Sequence, residues 1–199
     1  MKKILIMSLT VLLLLPACGS SNVKRVNANR RIDLSGYWND IDVRIVCDAL
    51  INDCLSSQRV DQAIRSRQRI PKVIVGSFRN ESAEQIDTAI ISSTMETVIF
   101  NSGKLDFVAG GSVRDEIRAE RMDQQTNSSG ATTSSLRNET GADFMLTGTV
   151  RSIVDREGSQ TVRTYFVTAE LTNIETNERI WMGQNNQIKK LISTPRNRL

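Results

Sequence analysis

Three runs decide the fold: ADFMLTGTVRSIVD at 142–155, TVRTYFVTAELTNI at 161–174 and ERIWMGQNNQI at 178–188. Each is rich in β-branched and aromatic residues, and each has strand length. Glu157-Gly158-Ser159 and Thr176-Asn177 supply turn residues between them, so the runs predict an antiparallel meander. In the middle run, Val162, Thr164, Phe166 and Thr168 alternate with Arg163, Tyr165, Val167 and Ala169. The two sets differ only partly in polarity, so alternation leaves open which one faces the core.

Upstream the period changes. Asn39 or Asp40 can cap a helix whose apolar positions are Val43, Val46, Cys47, Leu50, Cys54 and Leu55. A short helix is expected over Val60 to Arg67. Pro71 then opens a buried strand, Lys72 to Gly76, and Asn80-Glu81-Ser82 reads as a loop. Asp87 caps a helix carrying Ile90, Ile91, Thr94, Met95, Val98 and Ile99, and Gly103 fits its left-handed end. Leu105 to Ala109 is the next expected strand. Gly110-Gly111-Ser112 leads into a charged helix, with Ser112 and Asp115 as a variant capping box. The small polar stretch 127–135 reads as a loop before a short helix, Leu136 to Thr140. The order predicts an α/β domain, a mixed sheet flanked by helices with a C-terminal antiparallel meander.

The N-terminus has a different logic. Lys2 and Lys3 precede an apolar run, Ile4 to Leu15, that is too short to span a bilayer. Leu15-Pro16-Ala17-Cys18 then has the form of a bacterial lipobox. Residues 1–17 are therefore expected to be a signal peptide, removed so that Cys18 carries lipid. Residues 18–33 form a polar tether, residues 34–192 a single domain, and residues 193–199 a frayed tail. The fifteen residues beyond the cysteine, 19–33, reach only ~50 Å when extended.

Composition narrows the chemistry. The chain contains no histidine. This removes the commonest general base and metal ligand, and with them a Ser/His/Asp triad. No catalytic group, metal site or cofactor is expected. Asp143 and Asp155 are available as a glycan-cleaving carboxylate pair, but they read as turn and strand-end acids. Beyond residue 17 the chain has 24 basic and 22 acidic side chains, a net of +2. Without a basic cluster it is not a nucleic-acid binder. Cys47 and Cys54 would lie ~10 Å apart on one helix, too far for a disulfide. They read as buried small residues.

Several stretches together resemble the LpoB family, lipoprotein activators of penicillin-binding proteins. They are Asp33 to Asp40 (DLSGYWND), Val73 to Gly76 with Asn80-Glu81-Ser82 and Ile86-Asp87, Gly141 to Gly148, Ser152 to Gly158, Glu170 to Glu178, and Trp181 to Gln184. The likeness covers roughly residues 33–190. It implies a fold like the N-terminal domain of TolB. It also implies a lipoprotein of the outer membrane, facing the periplasm and held in the membrane by lipid on Cys18. The implied partner is a bifunctional, class A penicillin-binding protein, activated allosterically in peptidoglycan synthesis. The alternative is a CsgG- or TolB-like structural or secretion-accessory lipoprotein that oligomerises in the periplasm.

Interface hot spots favour Trp, Tyr and Arg. The candidate partner-binding residues are Arg163, Tyr165, Arg151 and Trp181, with Tyr37 and Trp38 beside them. Arg163 and Tyr165 share a face of a regular strand and would make an Arg/Tyr docking surface there. Core packing is the competing expectation for Trp181.

Overall fold

The computed structural model describes residues 23–28 and 30–194. The lipobox, Cys18 and residues 195–199 lie outside the described residues. The residues from Ile32 onward form one compact unit. Among the described residues no helix is long and apolar enough to cross a membrane.

The first helix, α1 (Asp40–Ser56), begins where the sequence indicates. Asn39 accepts from the Ile41 and Asp42 N–H groups, and Asp42 accepts from the Asn39 N–H, which closes a capping box. Its apolar stripe is buried, including Val46, Cys47, Leu50, Ile51 and Cys54. Both cysteines are free. Burial above all, with Asp48 beside Cys47 and Asp53 beside Cys54, pushes each thiol up to about 12, so both are inert at neutral pH.

Helix α2 (Gln58–Arg65) follows, then strand β1 (Lys72–Asn80), longer than the sequence suggests. Asp87 caps α3 (Thr88–Ser102) through the Ala89 N–H, and Gly103 ends it at φ +66°. Ile91, Met95 and Ile99 face the core, whereas Ile90 is exposed. The core-facing stripe is thus centred on Ile91. The expected strand at 105–109 shrinks to β2 (Asp106–Phe107).

Two expectations fail here. Helix α4 (Gly111–Asn127) is capped by Gly110, with no side-chain bond, so Ser112 and Asp115 form no capping box. The helix starts before Ser112, because Gly110 is pressed against Ile74, where a Cβ would come within 2.7 Å of the side chain. No helix forms at 136–140, where Arg137 takes a left-handed φ of +66°. That backbone stops helix propagation.

The meander is observed as β3 (Phe144–Glu157), β4 (Gln160–Asn173) and β5 (Arg179–Asn185). A sixth strand, β6 (Lys189–Ser193), takes in Ser193, which the sequence reading leaves in the tail. The sheet order is β2-β1-β3-β4-β5, with β6 on β4. β1 runs parallel to β2 and β3, and the remaining pairings are antiparallel, so the sheet is mixed. β5 pairs with residues 167–172 of β4 and β6 with residues 160–164. Between them the chain jogs at 186–188, where the Ile188 carbonyl accepts from the Tyr165 N–H at 2.9 Å.

Helices α1 and α3 close one face of the sheet. There Val73, Phe78, Phe144, Leu146, Val150, Val167, Leu171 and Trp181 meet the two helical stripes. Two glycines allow this packing. A Cβ on Gly148 would collide with the Phe78 ring, and one on Gly183 with the Trp181 ring lying along its own strand.

Candidate docking surface

The face of β4 left open by its alternation is decided by packing. Arg163, Tyr165, Val167, Ala169 and Leu171 point into the core. Arg163 and Tyr165 do share a face, but they are only 5 % and 1 % exposed and present no surface to a partner. Glu84 is the physical reason. The Tyr165 hydroxyl donates to both of its carboxylate oxygens, at 2.8 and 2.7 Å. Arg163 Nε lies 2.8 Å from Glu84 Oε1, an ion-pair distance without hydrogen-bond alignment. Burial above all, then the hydrogen bond to Glu84, raises the Tyr165 phenol well above its ordinary range. It therefore stays protonated and remains the donor.

The same cluster straps the segment before α1 onto the sheet. Arg163 Nη1 donates to the Gly36 carbonyl at 3.0 Å, and its guanidinium lies 4.2 Å over the Tyr37 ring. Trp38 packs edge-on against Tyr165 at 5.1 Å. Lys190 Nζ bridges Asp42 at 2.6 Å, Asp33 at 2.7 Å and the Tyr37 carbonyl at 2.8 Å. The motif 33–40 is therefore a latch. Trp38 is spent on it, and Tyr37 contributes a half-exposed ring.

Trp181 is buried, and its indole N–H donates to Asp53 of α1 at 2.9 Å. Its core reading holds. Asp143 and Asp155 are not brought together, since the strand between them spans roughly 40 Å. Asp143 instead receives Arg67 and Arg69 at 2.7 Å and the Lys72 N–H at 2.8 Å. Burial alone would raise its carboxyl, but the Arg69 hydrogen bond, the Lys72 N–H and the Arg67 charge outweigh this and hold it below the ordinary range. Among the described residues, no group of His, Cys, Asp and Glu could hold a metal ion.

Of the four residues singled out from sequence, Arg151 alone is exposed, at 61 % of its side chain. It stands on the other face of the sheet, where α4 buries no side chain. That face carries a shallow groove of ≈ 700 Å³ lined by Arg79, Met145, Thr147, Arg151, Glu170 and Met182 among others. Met182 is 63 % exposed, and Met145 is also exposed. Around them Arg151 pairs with Glu81 and Arg179 with Glu170, each at 2.7 Å. Thr149 and Thr168 join across strands at 2.6 Å. Adaptable methionines rimmed by arginines suit protein contact better than catalysis. Sequence reasoning missed both methionines. The signal was the β5 alternation, in which Trp181, Gly183 and Asn185 oppose Ile180, Met182 and Gln184.

Comparison with known proteins bears on the family. No curated protein matches the sequence. Among solved structures, the C-terminal domain of LpoB from Escherichia coli is similar, with 17 % identity, 77 % of this chain and 99 % of that chain covered, and a TM-score of 0.45. The LpoB C-terminal domain from Salmonella enterica matches at 14 % identity over 76 % of this chain and 96 % of that one, TM-score 0.37. Lipoprotein GNA1162 from Neisseria meningitidis matches at 13 % identity over 62 % and 84 %, TM-score 0.39. The family model for the peptidoglycan-synthase activator LpoB matches residues 42–187, from the first turn of α1 to the jog before β6. With most of the folded unit inside that match, the chain belongs to the family of the peptidoglycan-synthase activator LpoB.

Proposed function

We propose that this chain is an outer-membrane lipoprotein, anchored through Cys18 and facing the periplasm, that activates a bifunctional class A penicillin-binding protein. It docks through the open sheet face around Met145, Arg151 and Met182. The observation that carries this reading is the bare face itself. One side of the sheet is closed by α1 and α3, while the other presents exposed methionines and an arginine rim, with no helix packed on it among the described residues. Docking activates only if it favours the active state of the synthase over the inactive one. The protein contributes no chemistry, in keeping with a chain without histidine.

The test mixes the lipoprotein in detergent with the organism's class A synthases and follows glycan polymerisation. Met182→Glu combined with Met145→Glu is expected to lose at least tenfold in stimulation with an unchanged melting temperature. Stimulation by this variant equal to that of the original protein would move the docking surface elsewhere. No stimulation of any active synthase by the original protein would remove the activator reading.

A further inference from the structure

Beyond its pairing with β1, strand β3 has a free edge. The β1–β3 ladder ends at Asn80 opposite Val150, and the Glu81 N–H closes it on the Val150 carbonyl at 2.8 Å. From Arg151 to Glu157, β3 is bonded to β4 on one side, and among the described residues no strand lies on the other. Val150 turns its backbone outward, toward β1. By the alternation of an antiparallel ladder, Ser152, Val154 and Arg156 also aim N–H and C=O outward. The edge contains no Lys or Pro and shows no bulge against β4, and its charges, Arg151, Asp155, Arg156 and Glu157, are of both signs, so they need not repel a second copy. It is also apolar at its middle, with Ile153 61 % and Val154 36 % exposed.

We infer that this edge is a self-association site. Two copies pair antiparallel, β3 to β3, about a twofold axis through Val154, and the two sheets become continuous.

The register follows from the backbone. Only residues that aim outward can exchange hydrogen bonds, so Ser152, Val154 and Arg156 must face one another. Centring the pair on Val154 uses all three from each copy and gives about six backbone bonds. Shifting by one residue opposes inward-aimed groups and forms none. Shifting by two shortens the overlap or runs into Val150, whose carbonyl is already taken.

The side chains agree with that register. Arg151 falls opposite Glu157 of the other copy, and the pair occurs twice by symmetry. Val154 meets Val154, Arg156 meets Ser152, Ile153 meets Asp155, and the two Ile153 side chains are diagonal neighbours, within reach of each other. Opposite charges at the ends and apolar groups at the centre are what an isologous strand pair requires. A foreign extended segment could use the same bonds, but nothing in the edge selects it, whereas the charge order selects a second copy. The inference rests on the free edge of β3 and not on the synthase reading, with Arg151 common to both surfaces.

The test uses the full-length protein in detergent. Val154→Cys places two thiols at the symmetry axis, where paired Cα atoms ~5.5 Å apart are within disulfide reach. Under copper phenanthroline it is expected to form a covalent dimer at least tenfold faster than Leu191→Cys, a control on β6 at a more exposed position. Cys47 and Cys54 are buried and stay silent in both. Glu157→Arg is expected to weaken the dimer at least tenfold in sedimentation, and adding Arg151→Glu to restore it. Equal cross-linking of the two cysteine variants would overturn the inference. So would a protein that sediments as a monomer at every concentration, whether or not the edge takes up an added extended peptide.

Discussion

Asp143 ties the starts of β1 and β3 together, and its pKa direction makes it a reporter of acid stability. Its folded value lies below the unfolded ~3.9. The carboxylate therefore contributes stability that is fully present above the unfolded value and is lost as pH falls through the folded one. Asp143→Asn is expected to cost about 2–3 kcal/mol at neutral pH in urea unfolding and to flatten the acid limb of stability against pH. Glu84 plays a larger part at the other end of the sheet, as the buried partner of both Arg163 and Tyr165. Removing one member of a buried pair leaves the other uncompensated. Glu84→Ala is expected to lose about 3–5 kcal/mol, with Tyr165→Phe milder, both read by chemical denaturation. Neither role was legible, because Arg163 and Tyr165 look like a docking pair until Glu84, far away in the chain, is placed against them.

At the scale of elements, β3 and β5 each carry a small residue that lets a large ring lie flat against the strand. Gly183 beneath Trp181 is such a site, and a Cβ there would force the indole off Asp53. Gly183→Ala is expected to destabilise by about 1–3 kcal/mol and to change tryptophan fluorescence in the folded state. Helix α4 is the opposite case. It buries no residue and is tied by Arg118 and Arg121 to Glu139, at 2.8 and 3.2 Å. Its amides are expected to exchange about a hundredfold faster than those of β4, or more, in hydrogen-exchange measurements. The helix itself was legible from its charged pattern. Its start was not, because the contact between Gly110 and Ile74 decides it.

For the whole molecule, the segment before α1 is part of the domain. Asp33, Gly36, Tyr37 and Trp38 engage Lys190, Arg163 and Tyr165 from the far end of the chain. A fragment starting at Asp40 is expected to be about 2–4 kcal/mol less stable than one starting at Ile32, since it loses the Asn39 cap and uncovers the Glu84 cluster. The comparison needs only two denaturation curves. The latch joins residues 33–38 directly to β4 and β6, the strands that Arg163 and Lys190 belong to.

The sequence by itself determined the order of the main elements, the start of α1 and both ends of α3. Asn39, Asp87 and Gly103 act on neighbours within a turn, and the strand runs carry their own β-propensity, so local chemistry suffices for them. It also determined that the chain has no imidazole for catalysis. Only the tertiary structure decided which face of β4 is the core, that Arg163 and Tyr165 are latch residues, and that the bare surface lies around Met145 and Met182. Those outcomes depend on partners distant in the chain, whose burial offsets the desolvation of a charge, and no local pattern records that.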